Sequence, residues 1–343
     1  MGDKNDRIIF SVFSDFHYKK GMYASEISDI EKILERAKDN GADFVLSAGD
    51  FCNDYLGSPE LINAFLNNRH GLPVYNVYGN HELESKGNSM SVVTPLLTND
   101  ANIVLGQGAY YYFDKKCFRI ICLDTNFSYN EANEEWQHNV TNSFGPPPEN
   151  KRYNSLGDVQ LKWLEKVVFD AADKGLKCIV LSHVGFSGKF GWDSPDAEAV
   201  RALFRHANEK ATGTVLLGIS GHIHTNHVAV TEDVLYIDVN TVRNGFWLPK
   251  PEKHYSDNHT FMYVDYDSDG KVKNSRIMRY NELSASGHTW FFSEPLSAIV
   301  TLDKDGKVVI EGMETEWAYG VVPDTNKHGK EPRIASGKWE LHK

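Results

Sequence analysis

An α/β fold, in which helices cover a sheet and β-hairpins follow, is predicted by three observations. Short apolar strands alternate with amphipathic helices through the first half of the chain. Asp, Asn and His cluster just past the ends of those strands. Beyond about Val228 the pattern turns to short alternating strands joined by Asp/Gly turns, as in DYDSDGKV and LDKDGKVV.

Ile8 to Phe13 reads as the first strand. A helix is predicted over Asp29 to Asp39. Ser28 and Glu31 are spaced as a capping box, Ile30, Ile33, Leu34 and Ala37 share one face, and Gly41 lies past the end. Phe44 to Ser47 is the next strand, and Ser58-Pro59 opens a second helix in the N-cap and first-turn positions. Strands follow at Pro73 to Tyr78, Phe118 to Leu123, Cys178 to Ser182 and Val215 to Ile219, with connecting helices at Asp158 to Ala172 and Pro195 to Asn208. Asn126 to Gly157, rich in Asn, Pro and aromatics, is long for a connection and is a candidate for a loop over the site. We expect one domain over residues 1–290 and a C-terminal β extension over 291–343 packed on it.

The chain has 343 residues with 36 Lys+Arg against 47 Asp+Glu, a net charge of −11. Such a surface repels DNA and acidic membrane and favours small substrates, although divalent cations would reverse the sign within a cleft. Cys52, Cys117, Cys122 and Cys178 show no CxxC spacing and read as buried small hydrophobes. The opening MGDKNDRIIF lacks the apolar stretch of a secretory signal, and no window approaches the roughly 18 apolar residues of a membrane span. A cytoplasmic protein is expected, with no membrane and no nucleic acid among its partners. Oligomeric state is open.

Five motifs fall at carboxyl ends of strands, where an open α/β sheet forms its ligand crevice: Asp15-Phe16-His17, Gly49-Asp50, Gly79-Asn80-His81-Glu82, His183, and Gly221-His222-Ile223-His224. Each brings an oxygen or imidazole donor and none brings a thiolate, which suits Mn, Fe or Zn. Gly49, Gly79 and Gly221 precede the donors at tight turns, where positive φ is expected.

In this order the motifs resemble the calcineurin-like metallophosphoesterase pattern DxH, GD, GNH(D/E), H and GHxH, over residues 15 to 224, about two thirds of the chain. The resemblance implies a four-layer α/β/β/α sandwich of two mixed sheets flanked by helices. It also implies that Asp15, His17 and His224 hold one metal, that Asn80, His183 and His222 hold the other, and that Asp50 bridges. Cations about 3.5–4 Å apart need such shared anionic ligands, and a hydroxide between them would be the nucleophile in an in-line displacement at phosphorus. His81, left unligated, is implied as general acid, worth about 10²–10⁴ in rate, with Glu82 orienting its other ring nitrogen.

A lone His183 would be a structural histidine, but in company with four further motifs it reads as a ligand. Asp15 and Asp50 precede no convincing helix that they could cap. DYDSDG opens like a calcium loop, yet its twelfth position is Arg276 and its flanks are strand-like, so a hairpin turn is expected. Trp192, Phe246 and Trp247 fit equally a clamp for an aromatic leaving group and anchors in the core. His227, His254 and His259 read as surface residues or as neighbours of the site.

The function expected is hydrolysis of a small phosphodiester or nucleotide. The alternatives are a phosphomonoesterase, including a protein phosphatase, then a nuclease or a non-catalytic scaffold. Purple acid phosphatases place a Tyr ligand three residues after the second-motif Asp and lack the first-motif His. Here Asn53 and His17 occupy those positions, so the chain resembles the phosphodiesterase and nucleotide-hydrolase branches instead.

Overall fold

The computed structural model describes residues 6–18, 25–53, 55–82, 88–130, 134–138, 154–246, 253–256, 260–266, 272–279, 289–318 and 331–342. In chain order the elements begin β1 (Arg7–Phe13), α1 (Ile27–Asp39), β2 (Phe44–Ser47), α2 (Pro59–Leu66), β3 (Val74–Asn76), α3 (Met90–Val93), β4 (Val104–Leu105), β5 (Tyr111–Lys115) and β6 (Phe118–Cys122). Next come β7 (Phe127–Asn130), β8 (Glu135–His138), α4 (Gly157–Lys174), β9 (Lys177–Leu181), α5 (Ala197–Lys210), β10 (Val215–Ser220), β11 (His227–Thr231) and β12 (Val234–Asp238). The rest are strands: β13 (Asn244–Phe246), β14 (Lys253–Ser256), β15 (Thr260–Tyr266), β16 (Val272–Arg279), β17 (Thr289–Phe291), β18 (Ala298–Asp303), β19 (Lys307–Gly312) and β20 (Gly337–Glu340).

These strands build two large mixed sheets, ordered β20-β19-β18-β1-β2-β3 and β11-β12-β10-β9-β6-β5-β4. The period of two along each strand decides what each sheet touches. In the second sheet Phe113, Ile120, Ile179, Leu217 and Leu235 belong to one core with Phe10, Phe44 and Tyr75 of the first sheet. The Phe113 ring stacks on Tyr75 at 3.8 Å and meets Phe44 edge-on at 5.4 Å. Their neighbours Ile121, Val180 and Tyr236 face the other way, onto Leu164 and Val168 of α4 and Val200 and Phe204 of α5. On the far side of the first sheet α1 and α2 bury Ile30, Ile33, Leu34, Leu61 and Phe65. The layers are therefore helix, sheet, sheet, helix.

Strand and helix positions agree with the sequence reading to within about two residues at each end. The cap of α1 differs. The helix starts at Ile27, with Glu26 as N-cap and Asp29 closing the capping box, and the Asp29 carboxylate accepts from Glu26 N–H at 2.9 Å. Ser28 already lies within the first turn, so it cannot serve as the cap. The segment from 291 onward supplies β18, β19 and β20, and β18 pairs antiparallel with β1 in the middle of the first sheet. The long stretch after Asn126 contains the β7–β8 hairpin, while Pro146 to Pro148 lie outside the described residues. Asp265 and Tyr266 end β15, which pairs antiparallel with β16, as a hairpin reading of DYDSDG requires; residues 267–271 lie outside the described set. Among the described residues no helix is long and apolar enough to cross a membrane.

Candidate metal centre

The parallel strands β1, β2 and β3 of one sheet and β9 and β10 of the other end at the same rim, and the chain leaves each through a tight turn. Five of the predicted donors take left-handed backbone there: Asp15 at φ 52°, His17 at 49°, Asp50 at 50°, His222 at 72° and His224 at 51°. Non-glycine residues in that region cost about 1–3 kcal/mol each and persist only where surrounding bonds hold them. Here Asp15 N–H donates to Gly49 O at 3.0 Å and His17 N–H to Asp50 O at 2.9 Å, so the two exits run side by side. Thr241 Oγ1 donates to Asp15 O at 2.7 Å, and Gly221 N–H to His183 O at 3.0 Å.

Gly49 has the expected positive φ of 91°. Gly79 and Gly221 do not; they are small because of what lies against them. A Cβ on Gly79 would strike the Asp50 carboxylate and backbone, and one on Gly221 would strike Ser14 Oγ and Asp15 Oδ2. The strain expected at those glycines is borne by the donors themselves.

All seven predicted metal ligands converge. Asp15 Oδ1 lies 3.1 Å from His224 Nε2 and 3.7 Å from His17 Nε2, whose distance to His224 Nε2 is 3.1 Å. On the other side His183 Nε2 lies 3.1 Å from Asn80 Oδ1 and 3.2 Å from His222 Nδ1. Asp50 stands between, with Oδ2 3.1 Å from His183 Nε2 and 3.8 Å from His17 Nε2. Donor atoms of Asp15, His17 and His224, of Asp50, His183 and His222, and of His17, Asp50 and His81 form trios lying within 4.8 Å. Outer contacts aim the rings: His183 Nδ1 donates to Ala48 O at 2.8 Å, which turns Nε2 toward the centre.

Electrostatics agrees with a cation-binding role. Burial raises the pKa of Asp15 and of Asp50, yet His224 beside the first and His183 and His81 beside the second outweigh it and hold both below the usual carboxylate range. Burial drives His17 down to about 3, with His81 adding to the fall, and His222 down to about 4, with His183 adding. Burial also opposes charge on His183, but Asp50 lifts it to about 10. Two buried carboxylates thus require positive charge among them, and His17 and His222 offer neutral lone pairs. That donor set, all nitrogen and oxygen, fits borderline divalent or trivalent metal ions.

Glu82 does not orient His81. Its carboxylate accepts from the backbone N–H groups of Gly79 at 2.7 Å, Phe51 at 2.8 Å and Asp50 at 3.1 Å, and from Asn76 Nδ2 at 3.2 Å. The i, i+3 return to Gly79 and the closeness of the second-motif turn point the side chain back beneath the loop. The partner of His81 Nδ1 is Asn53, whose Nδ2 lies 2.7 Å away. Asn53 and Ser14, whose Oγ donates to Asp15 Oδ2 at 2.5 Å, were missed as site residues. Asn53 carried a signal, its place at the position of the purple-enzyme Tyr; Ser14 carried none.

Beside Gly221 lies a shallow surface depression lined by Phe190, Trp192, Asp193, Ile223 and Asp238. Trp192 is 63% exposed at this depression, so it is no core anchor. His227 packs on Phe190 at 5.3 Å. On the opposite flank His138 of β8 bonds Asp124 Oδ2 at 2.8 Å and rests against Tyr78, so the β7–β8 hairpin stands next to the third motif. Trp247 and His259, and the side chains of Phe246 and His254, lie outside the described residues.

The family model for calcineurin-like phosphoesterase matches residues 10–226. No curated protein matches the chain in sequence. Among solved structures, a dimetal phosphatase from Danio rerio is similar with a TM-score of 0.56 at 14% identity, over 89% of this chain and 95% of that one. GAP50, the anchor in the inner membrane complex of Plasmodium, is similar with a TM-score of 0.51 at 13% identity, over 98% and 90%. At such identities the likeness is one of fold.

Proposed function

The chain belongs to the calcineurin-like phosphoesterase family and is a metal-dependent phosphoester hydrolase, and from that premise we propose that it cleaves a small phosphodiester or nucleotide at a two-metal centre. Asp15, His17 and His224 would hold one ion and Asn80, His183 and His222 the other. The observation that carries this reading is Asp50, whose one oxygen faces His17 on the first side and His183 on the second. The ions, Mn, Fe or Zn by donor chemistry, would acidify a water and neutralise phosphoryl charge.

The chain's own residues do the rest. The left-handed turns and the Glu82 bonds beneath them hold the donors in place before substrate arrives, so little reorganisation is left for the reaction. His81, 6% exposed, turns Nε2 into the centre 3.9 Å from Asp50 Oδ2 and serves as the acid toward the leaving oxygen. A net charge of −11 favours a small substrate over a polyanion.

The test is hydrolysis of bis-p-nitrophenyl phosphate beside p-nitrophenyl phosphate on chelated protein reloaded with Mn²⁺. Faster turnover of the diester is expected. Preference for the monoester would make the protein a phosphatase, and silence on both would favour a scaffold.

A further inference from the structure

Among the described residues, Trp192 is the most exposed large apolar side chain. The loop that carries it, Gly185 to Ser194, is braced. Ser194 N–H donates to Gly185 O at 2.9 Å and closes the loop, and inside it Asp193 accepts from Ser187 Oγ at 3.2 Å and from Phe190 N–H at 3.4 Å. Arg201 Nη1 ties Phe186 O to α5 at 2.9 Å. Gly191, at φ 86°, turns the chain immediately before Trp192. Scattered apolar side chains are ordinary on a surface, but this one stands beside the metal centre: Gly221 and Ile223, on either side of His222, line the same depression.

The chemistry of that depression selects what would lie against the indole. Its lining brings two aromatic rings, Phe190 and Trp192, and two carboxyl side chains, Asp193 and Asp238, with no lysine or arginine among the described residues. Asp238 is fully buried and accepts from Thr225 Oγ1 at 2.9 Å, whereas Asp193 is half-buried and faces the depression from the same loop as the indole. A second phosphate on the substrate would find no cation there, and the net charge of −11 would repel it as well. A plain apolar group would have no use for the carboxylate. An ammonium group suits both, because the face of an indole attracts a cation and Asp193 carries the opposite charge. Joined to a phosphodiester, it also makes the substrate electrically neutral, so the acidic surface does not repel it.

We propose that Trp192, assisted by Asp193, is a specificity-determining residue that receives a quaternary or protonated ammonium group on one alcohol of the phosphodiester. The proposal rests on the phosphodiester reading above and names its substrate class, zwitterionic phosphodiesters.

The test compares p-nitrophenyl phosphorylcholine with its neutral isostere, p-nitrophenyl 3,3-dimethylbutyl phosphate, in which carbon replaces the ammonium nitrogen. Shape and leaving group are the same, so the difference is charge. On the Mn²⁺-loaded full chain the cationic ester should have a kcat/KM about 3–30-fold higher, expressed mainly in KM. Trp192→Leu, a change at an exposed side chain, should erase most of that preference, and Trp192→Phe should keep part of it. Equal kcat/KM for the two esters in the wild type, faster turnover of the neutral one, or a preference that survives Trp192→Leu intact would overturn the proposal. Methyl p-nitrophenyl phosphate keeps the two levels apart. Its turnover without any ammonium preference would remove this inference alone, and silence on all three diesters would remove the phosphodiester reading on which it rests.

Discussion

The two rims of the sandwich use one backbone conformation under opposite circumstances. Asp15, His17, Asp50, His222 and His224 on the rim where the parallel strands end, and Lys116, Glu232 and Asp233 on the rim where β6 and β12 begin, all have φ between 49° and 72°. On the second rim the left-handed residues are exposed and sit in two-residue turns of the β5–β6 and β11–β12 hairpins, where such φ values match the twist of the strands. On the first rim they are mostly buried, carry imidazoles and carboxylates, and are held by bonds from neighbouring strand exits. Left-handed backbone is therefore not by itself a mark of a site. It becomes one where the side chains it turns inward are polar, buried and aimed at a common point.

The sharpest break of that comparison is Asp50→Asn. We expect loss of metal content, read by elemental analysis, together with loss of detectable turnover, because both halves of the centre lean on that carboxylate; a variant that keeps both metals would undo its bridging role. Next is His81→Ala. Metal content should stay while alkyl esters slow by about 10²–10⁴-fold and p-nitrophenyl esters far less, and full rate on an alkyl ester would remove His81 from the chemistry.

Glu82→Ala probes what holds the strained rim. Three backbone N–H groups lose their acceptor, and at about 1–3 kcal/mol for each buried donor left unmade the variant should lose about 3 kcal/mol or more in denaturant unfolding. Unchanged stability with slowed turnover would return Glu82 to the task of orienting His81. The smallest effect belongs to the opposite rim: Asp233→Gly removes a left-handed non-glycine residue at φ 60° and should gain up to about 1 kcal/mol with kcat unaltered. A change in kcat there would mean that the rims are coupled.

Much of this was legible because it is local. The apolar run of Ile8 to Phe13, the helical face of Ile30, Ile33, Leu34 and Ala37, and the donors placed just past strand ends depend on residues a few positions apart, and the structure puts them where the sequence reading does. The donor chemistry is also local, since Asp, Asn and His name their possible ligands wherever they lie.

Only the tertiary structure decided how distant pieces meet. His17 and His224 are 207 residues apart, and Thr241 reaches back to Asp15 across 226. β18, from the segment that reads as a C-terminal β extension, enters the first sheet beside β1. The direction of the Glu82 carboxylate and of the Asn53 amide follows from which N–H groups and ring nitrogens the neighbouring exits bring within hydrogen-bond reach. A motif states what a side chain can bind; the orientation of a carboxylate or an amide is set by its buried partners, and those are supplied by chain segments that sequence spacing does not relate.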